Sequence, residues 1–183
     1  GEIHQSHRKG QFKLDQSDYL NIIKMKTGEL FALSCELGGS LAGGNTNETQ
    51  ALRRYGMALG TAYQIYDDCL DIFGTESESG KSLGTDIIEG KATLPILLLH
   101  EQAGPELVNQ FEQMVMRWDA DQLNILQSWL SEYNILEKSQ SCLSVFLDEA
   151  CKSLETINES DGRNVLEMLP QFLAQQFEQL GVS

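Results

Sequence analysis

Apolar residues recur at helical spacing along most of the chain. Between Asp18 and Ala42, Leu20, Ile23, Leu30, Leu33, Leu37 and Leu41 fall mostly three or four residues apart, which predicts one long helix. Asp18 is the candidate N-cap and Gly43-Gly44 the stop. A second helix, capped by Thr46 or Asn47 with Gln50 following, runs through Leu52, Tyr55, Leu59, Ala62, Ile65, Tyr66 and Leu70 to about Phe73. From Gly74 to Ala92 the periodicity fails. Gly74, Gly80, Gly84 and Gly90 interrupt a mostly polar stretch that reads as a loop, and a loop of that length inside a compact domain tends to be functional. Thr93 to Glu101 reads as a short buried helix. Further helices follow, with breaks near Gly104-Pro105, Asp119, Asn134 and Ser160-Asp161-Gly162. No stretch alternates apolar and polar residues between turn signals, so strands are not expected. The pattern predicts an all-α bundle, with residues 1–183 as a single helical domain.

Composition supports a globular helical protein. Hydrophobic residues make up 41% of the 183, and there are only 3 prolines. The longest apolar run, Leu94-Pro95-Ile96-Leu97-Leu98-Leu99, is far short of the ~20 residues that span a bilayer. No apolar leader opens the chain, so a cytoplasmic location is expected. Cys35, Cys69, Cys142 and Cys151 have neither disulfide-framework nor zinc spacing and read as reduced, mostly buried thiols. The net charge of −14 disfavours nucleic acid as a partner. From Ala92 onward 4 basic residues face 14 acidic ones, so any anion site has to be built locally from the lysines of the first half, with or without a metal.

Three segments carry candidate chemistry. In Gln64-Ile65-Tyr66-Asp67-Asp68-Cys69-Leu70-Asp71, the positions of Gln64, Asp67, Asp68 and Asp71 share one helix face. Like charges one turn apart, at the C-terminal end of a helix, oppose both each other and the helix dipole. A solvated acidic face would tolerate this. A hard cation such as Mg²⁺, which takes one or two carboxylates plus phosphate oxygens, would reverse it. The apolar neighbours Ile65, Tyr66, Leu70, Ile72 and Phe73 favour the cation, because a buried carboxylate without a partner is costly. The glycine-rich stretch that follows holds Lys81 and Lys91. Glycines let backbone amides approach a phosphate, and lysine adds a point charge. Lys91 could equally pair with Asp86 or Glu89. In the first helix, Lys26-Thr27-Gly28 is a poor helical choice and invites a local kink that frees a backbone carbonyl.

At these residues the sequence resembles the trans-isoprenyl diphosphate synthases, or polyprenyl synthetases. The likeness covers nearly the whole chain: Gly1-Glu2-x-x-Gln5, Lys26-Thr27, Gln64-x-x-Asp67-Asp68-x-x-Asp71, Gly80-Lys81 to Asp86, Gly90-Lys91-x-Thr93-Leu94-Pro95, and the tail from Ser160-Asp161-Gly162-Arg163 to Leu169-Pro170. Each motif alone is weak; their order and spacing together are specific. The resemblance implies a helical bundle of the isoprenyl synthase type. It implies a prenyltransferase that ionises an allylic diphosphate with Mg²⁺ and lets isopentenyl diphosphate attack the cation. It implies that Asp67 ligates a metal with Asp68 and Asp71 close by, that Lys26 and Lys81 hold the allylic diphosphate, and that the Thr27 carbonyl and the Gln64 side-chain oxygen face the cation. Gln5 would support the opposite metal cluster, and the assembly would be a homodimer. The family's first aspartate-rich motif, the arginines after it, the basic residues for isopentenyl diphosphate and the determinants of product length all precede the position of Gly1. The amino-terminal helices are therefore expected to be missing, with this chain supplying one wall of the site. A non-catalytic partner subunit of a heteromeric synthase and a terpene cyclase on the same fold are the alternatives. Intact Asp67, Asp71, Lys26 and Lys81 weigh against the former, and the Gly80–Pro95 pattern against the latter.

Overall fold

The computed structural model describes residue 12, residues 15–75, residue 80 and residues 82–181. Among these residues every regular element is helical. We number them α1 (Gln16–Ile23), α2 (Glu29–Leu41), α3 (Thr46–Phe73), α4 (Thr85–Ile88), α5 (Leu94–Gln102), α6 (Pro105–Val115), α7 (Ala120–Glu132), α8 (Ile135–Leu154) and α9 (Asp161–Glu178). A π-helical segment, Lys24–Gly28, joins α1 to α2. No described helix is long and apolar enough to cross a membrane.

The helix ends follow local chemistry that differs in places from the expectation. Asp15, not Asp18, caps α1: its carboxylate accepts the Ser17 amide at 2.9 Å. Asn45, not Thr46 or Asn47, caps α3. Its side chain accepts the amides of Asn47 and Glu48, and the Glu48 carboxylate returns to the Asn45 amide at 2.8 Å, a reciprocal capping box. In both cases the winning residue is the one whose oxygen reaches amides two or three positions on. Asp119 and Gln122 form a second such box at α7, and Ser160 caps α9. Gly43, at φ +84°, closes α2 as expected. The expected long loop after Phe73 is interrupted by the single turn of α4, which Thr85 anchors by donating its hydroxyl to the Ser82 carbonyl at 2.6 Å.

The described residues fall into two compact units. The first contains Leu20–Tyr66 and Cys142–Gln179. Its core includes Ile23, Ala32, Tyr55, Ala62, Ile65, Ala150, Leu154 and Phe177. Here α2 and α3 approach so closely that a Cβ on Gly56 would stand 2.4 Å from the Phe31 carbonyl oxygen. Arg53 of α3 reaches Glu29 and Glu36 on α2 at 2.6 and 2.8 Å. The periodic leucines of α2 do not enter this core: Leu30, Leu33, Leu37 and Leu41 are all exposed.

The second unit contains residues up to Tyr19, Asp67–Ser141 and the residues from Leu180 onward. Its centre is α5, whose residues Leu94 to Leu99 are all buried, as befits a helix apolar on every side. Phe12, His100 and Phe111 form an edge-to-face cluster beside it, with the His100 ring nitrogen Nδ1 2.9 Å from the Phe12 carbonyl. The four cysteines carry free thiols, but only Cys69 is buried; Cys35 and Cys142 are half-buried and Cys151 is exposed, which corrects the expectation of mostly buried thiols.

Candidate functional site

In the first unit, Lys26 and Thr27 lie in the π-helical segment. The Glu29 amide donates to the Lys24 carbonyl, a five-residue step that widens the turn. Such wide turns are frequent at functional positions. The kink expected at Thr27-Gly28 therefore takes the form of a π-turn. The Thr27 hydroxyl does not bond back into its own helix. It donates to Gln64 Oε1 of α3 at 2.6 Å, and Gln64 is only 7% exposed. This bond orients the amide oxygen that the sequence singles out. Beside it, the Phe31 ring stacks on Tyr63 with centroids 5.8 Å apart.

α3 runs unbroken to Phe73, so Asp67, Asp68 and Asp71 keep their register on the face of Gln64. Within the second unit the three aspartates have different surroundings. Asp67 is half-buried. Asp68 is buried and accepts the Tyr19 hydroxyl at 2.7 Å. Asp71 is fully buried and grips the glycine-rich segment twice: its backbone carbonyl accepts the Gly84 amide at 2.7 Å, and its Oδ2 accepts the Asp86 amide at 3.0 Å. Gly84 makes this return possible. It sits at φ +73°, and a Cβ there would stand 2.9 Å from the Trp118 ring.

Of the two readings of Lys91, pairing prevails. Its ammonium lies 2.8 Å from both Asp86 Oδ1 and Glu89 Oε2. Burial alone would lower its pKa, but the hydrogen bonds and charges of Asp86 and Glu89 outweigh burial and raise it. Lys81 and Gln5 lie outside the described residues.

Among the described residues no three His, Cys, Asp or Glu side chains converge as a ready metal cage. The donors on the aspartate row are all carboxylate oxygens, a set that suits a hard cation needing one or two of them besides phosphate and water. A cleft of about 530 Å³ at the end of α3 is lined by Phe73, Thr75, Leu83, Gln127 and Asn134 among others, with no lysine or arginine among its described lining residues.

Sequence reasoning missed Tyr19 and Trp118. Neither is marked by spacing or by a charged neighbour that calls for it. The glycine density around Gly84 did flag the segment that Trp118 shapes.

Residues 1–132 match the family described as polyprenyl synthetase. Heptaprenyl diphosphate synthase component 2 of Bacillus subtilis is 32% identical over 173 residues, which are 94% of this chain and 49% of that protein. Octaprenyl diphosphate synthase of Escherichia coli is 30% identical over 169 residues, 91% of this chain and 52% of that protein. Among solved structures, polyprenyl synthase from Caulobacter crescentus, complexed with calcium and isoprenyl diphosphate, superposes with a TM-score of 0.89 at 34% identity over 94% of this chain and 53% of that one. Decaprenyl diphosphate synthase from Rhodobacter capsulatus gives 0.87 at 28% identity, covering 96% and 55%. The chain thus spans about half the length of the relatives it matches. It has their helical fold and carries the aspartate row and the glycine-rich segment at the same end of α3 that the sequence singled out; the chain belongs to the polyprenyl synthetase family.

Proposed function

We propose that the full-length protein is a Mg²⁺-dependent prenyltransferase that condenses isopentenyl diphosphate with an allylic diphosphate to make a polyprenyl diphosphate. This chain then carries the part of the site that holds the allylic diphosphate. The observation that carries the reading is the row Asp67, Asp68 and Asp71 on the last turns of α3, with the glycine-rich segment folded back onto Asp71.

In this reading Asp67 ligates the metal. Asp68 and Asp71 stand behind it, each with one oxygen held by a hydrogen bond from Tyr19 or Asp86. Lys26 and Lys81 bind the allylic diphosphate, and Gln5 supports the opposite side. Bound Mg²⁺ supplies charge that offsets the charge growing on the departing pyrophosphate. Gln64, oriented by Thr27, presents its amide oxygen to the allylic cation, and the Thr27 carbonyl does the same. A site for such a cation has to exclude water, which agrees with the near-complete burial of Gln64. The calcium and isoprenyl diphosphate bound by the Caulobacter protein support this, since calcium also selects oxygen donors.

The protein is proposed to act in the cytoplasm as a homodimer. The exposed row Leu30, Leu33, Leu37 and Leu41 supports assembly of some kind, because monomers rarely leave such a stripe uncovered. The name component 2, carried by relatives from Bacillus subtilis and Geobacillus stearothermophilus, favours as a second reading that this chain works with a different chain.

Both are tested with the full-length protein, an allylic diphosphate, isopentenyl diphosphate and Mg²⁺. Release of pyrophosphate is expected, and Asp67→Ala is expected to lower it by orders of magnitude. No release from the wild-type protein, with or without a partner chain, would remove the enzyme reading.

A further inference from the structure

Asp71, Asp86 and Lys91 form a charged cluster inside the second unit, in which Lys91 makes the pairing that the sequence left open. Asp71 is fully buried, Asp86 is 6% exposed, and the Lys91 side chain is 16% exposed. The links run in series. Asp71 Oδ2 accepts the Asp86 amide, Asp86 Oδ1 takes the Lys91 ammonium at 2.8 Å, and the Lys91 amide donates back to the Asp86 carbonyl at 2.8 Å. Glu89 is the outer, more exposed partner of the same ammonium. Two carboxylates already claim Lys91, so it is a poor magnet for an anion. Removing one partner of a buried ion pair leaves the other charge uncompensated, so the segment would have to move to rehydrate Asp86.

We infer that Lys91 is a positioning residue. By holding the Asp86 carboxylate it fixes the Gly84–Asp86 segment on Asp71, and so sets the orientation of the Asp71 carboxylate in the diphosphate site. What that site binds rests on the proposed function; the clamp itself is a property of the fold. Residues that hydrogen-bond a metal ligand typically change metal affinity or activity by ~10–100-fold when lost, and Lys91, which acts through Asp86 and Asp71, belongs at the lower end of that range.

The test uses the full-length protein and four variants: Lys91→Met, Asp86→Asn, the double variant, and Lys91→Arg. Two quantities are measured, hydrogen exchange at the Gly84 and Asp86 amides and calorimetric affinity for Mg²⁺-pyrophosphate. Each single variant is expected to weaken that affinity on the order of tenfold. The double variant should be no worse than the weaker single, because both break the same clamp. Lys91→Arg, which keeps the pair, should recover most of the affinity. Protection of the Gly84 and Asp86 amides should fall in Lys91→Met and Asp86→Asn while α5 keeps its own. A double variant whose loss equals the product of the single losses, or an Asp86→Asn protein that binds normally while Lys91→Met does not, would make Lys91 a direct ligand and overturn the inference. Unchanged exchange at Gly84 and Asp86 would also overturn it. If the wild-type protein binds no Mg²⁺-pyrophosphate, the proposed function fails, and the exchange measurement still decides the clamp.

Discussion

The close approach of α2 and α3 makes one substitution, glycine to alanine, act in opposite directions at two positions. Inside a helix the change is intrinsically favourable by ~1 kcal/mol. At Gly38, on the exposed side of α2, a new methyl meets nothing within 4 Å, so that gain is kept. Gly38→Ala should raise Tm by about 2–4 °C in a chain of this size. At Gly56 the same methyl would stand 2.4 Å from the Phe31 oxygen, 2.7 Å from its carbonyl carbon and 2.8 Å from the Ala32 Cα. All three are backbone atoms, so no rotamer change relieves the overlap and α2 itself has to shift. Overpacking costs ~1–3 kcal/mol, and a backbone obstacle belongs at the upper end. The net is a loss of about 2 kcal/mol, or a fall in Tm of roughly 4–8 °C. Thermal unfolding followed by helical circular dichroism reads both variants. A Gly56→Ala protein as stable as Gly38→Ala would show that the two helices do not touch as described, and the Thr27–Gln64 bond, which ties the π-helical segment before α2 to α3, would lose its support.

Tyr19→Phe removes the hydroxyl held by buried Asp68; a hydrogen bond to a charged group contributes ~1.5–3 kcal/mol, so Tm should fall by several degrees, and a change within one degree would place that hydroxyl in water. Asn45→Ala should cost ~1 kcal/mol and Asn45→Gly only a few tenths, measured by denaturant unfolding; equal losses would mean that the side chain does not cap α3. Asp71→Ala should lower Tm clearly, since it strips the buried Asp86 amide of its acceptor at a cost of ~1–3 kcal/mol, whereas Asp67→Ala, at a half-buried position, should leave Tm within a few degrees.

Helix identity was legible because apolar spacing is a direct imprint of the 3.6-residue turn, and the breaks at Pro105, Asp119, Asn134 and Ser160 announce themselves by residue type. Burial was less legible. The leucines that define the period of α2 are exposed, while the small residue Ala32 is the one that helix buries. Periodicity marks a face that wants a partner and does not say which chain supplies it. The caps were misjudged at Asp18, Thr46 and Asn47 because several polar residues crowd each helix start, and only geometry decides whose oxygen reaches the amides. At the site, carboxylates and glycines stood out because their cost needs a reason. Tyr19 did not, because a tyrosine on an amphipathic helix is ordinary until a carboxylate 49 positions away turns toward its hydroxyl.

Three carboxylates within two turns at the C-terminal end of a helix repel one another and face the negative end of its dipole. The fold answers this unevenly. Asp68 is tied to Tyr19 and Asp71 to the Gly84–Asp86 segment, so for these two the cost of burial is offset by donors the chain itself provides. Asp67 is the member of the row left half-buried. The division has a chemical consequence for the proposed metal site. A carboxylate with one oxygen pinned by a buried donor cannot swing to follow an ion, so Asp68 and Asp71 would fix the frame of that proposed site. In the proposed enzyme, a loss of activity on replacing Asp68 or Asp71 would have two sources, a missing charge and a displaced neighbour. The asparagine variants separate them, because the amide keeps an acceptor oxygen for Tyr19 or for the Asp86 N–H and removes only the charge.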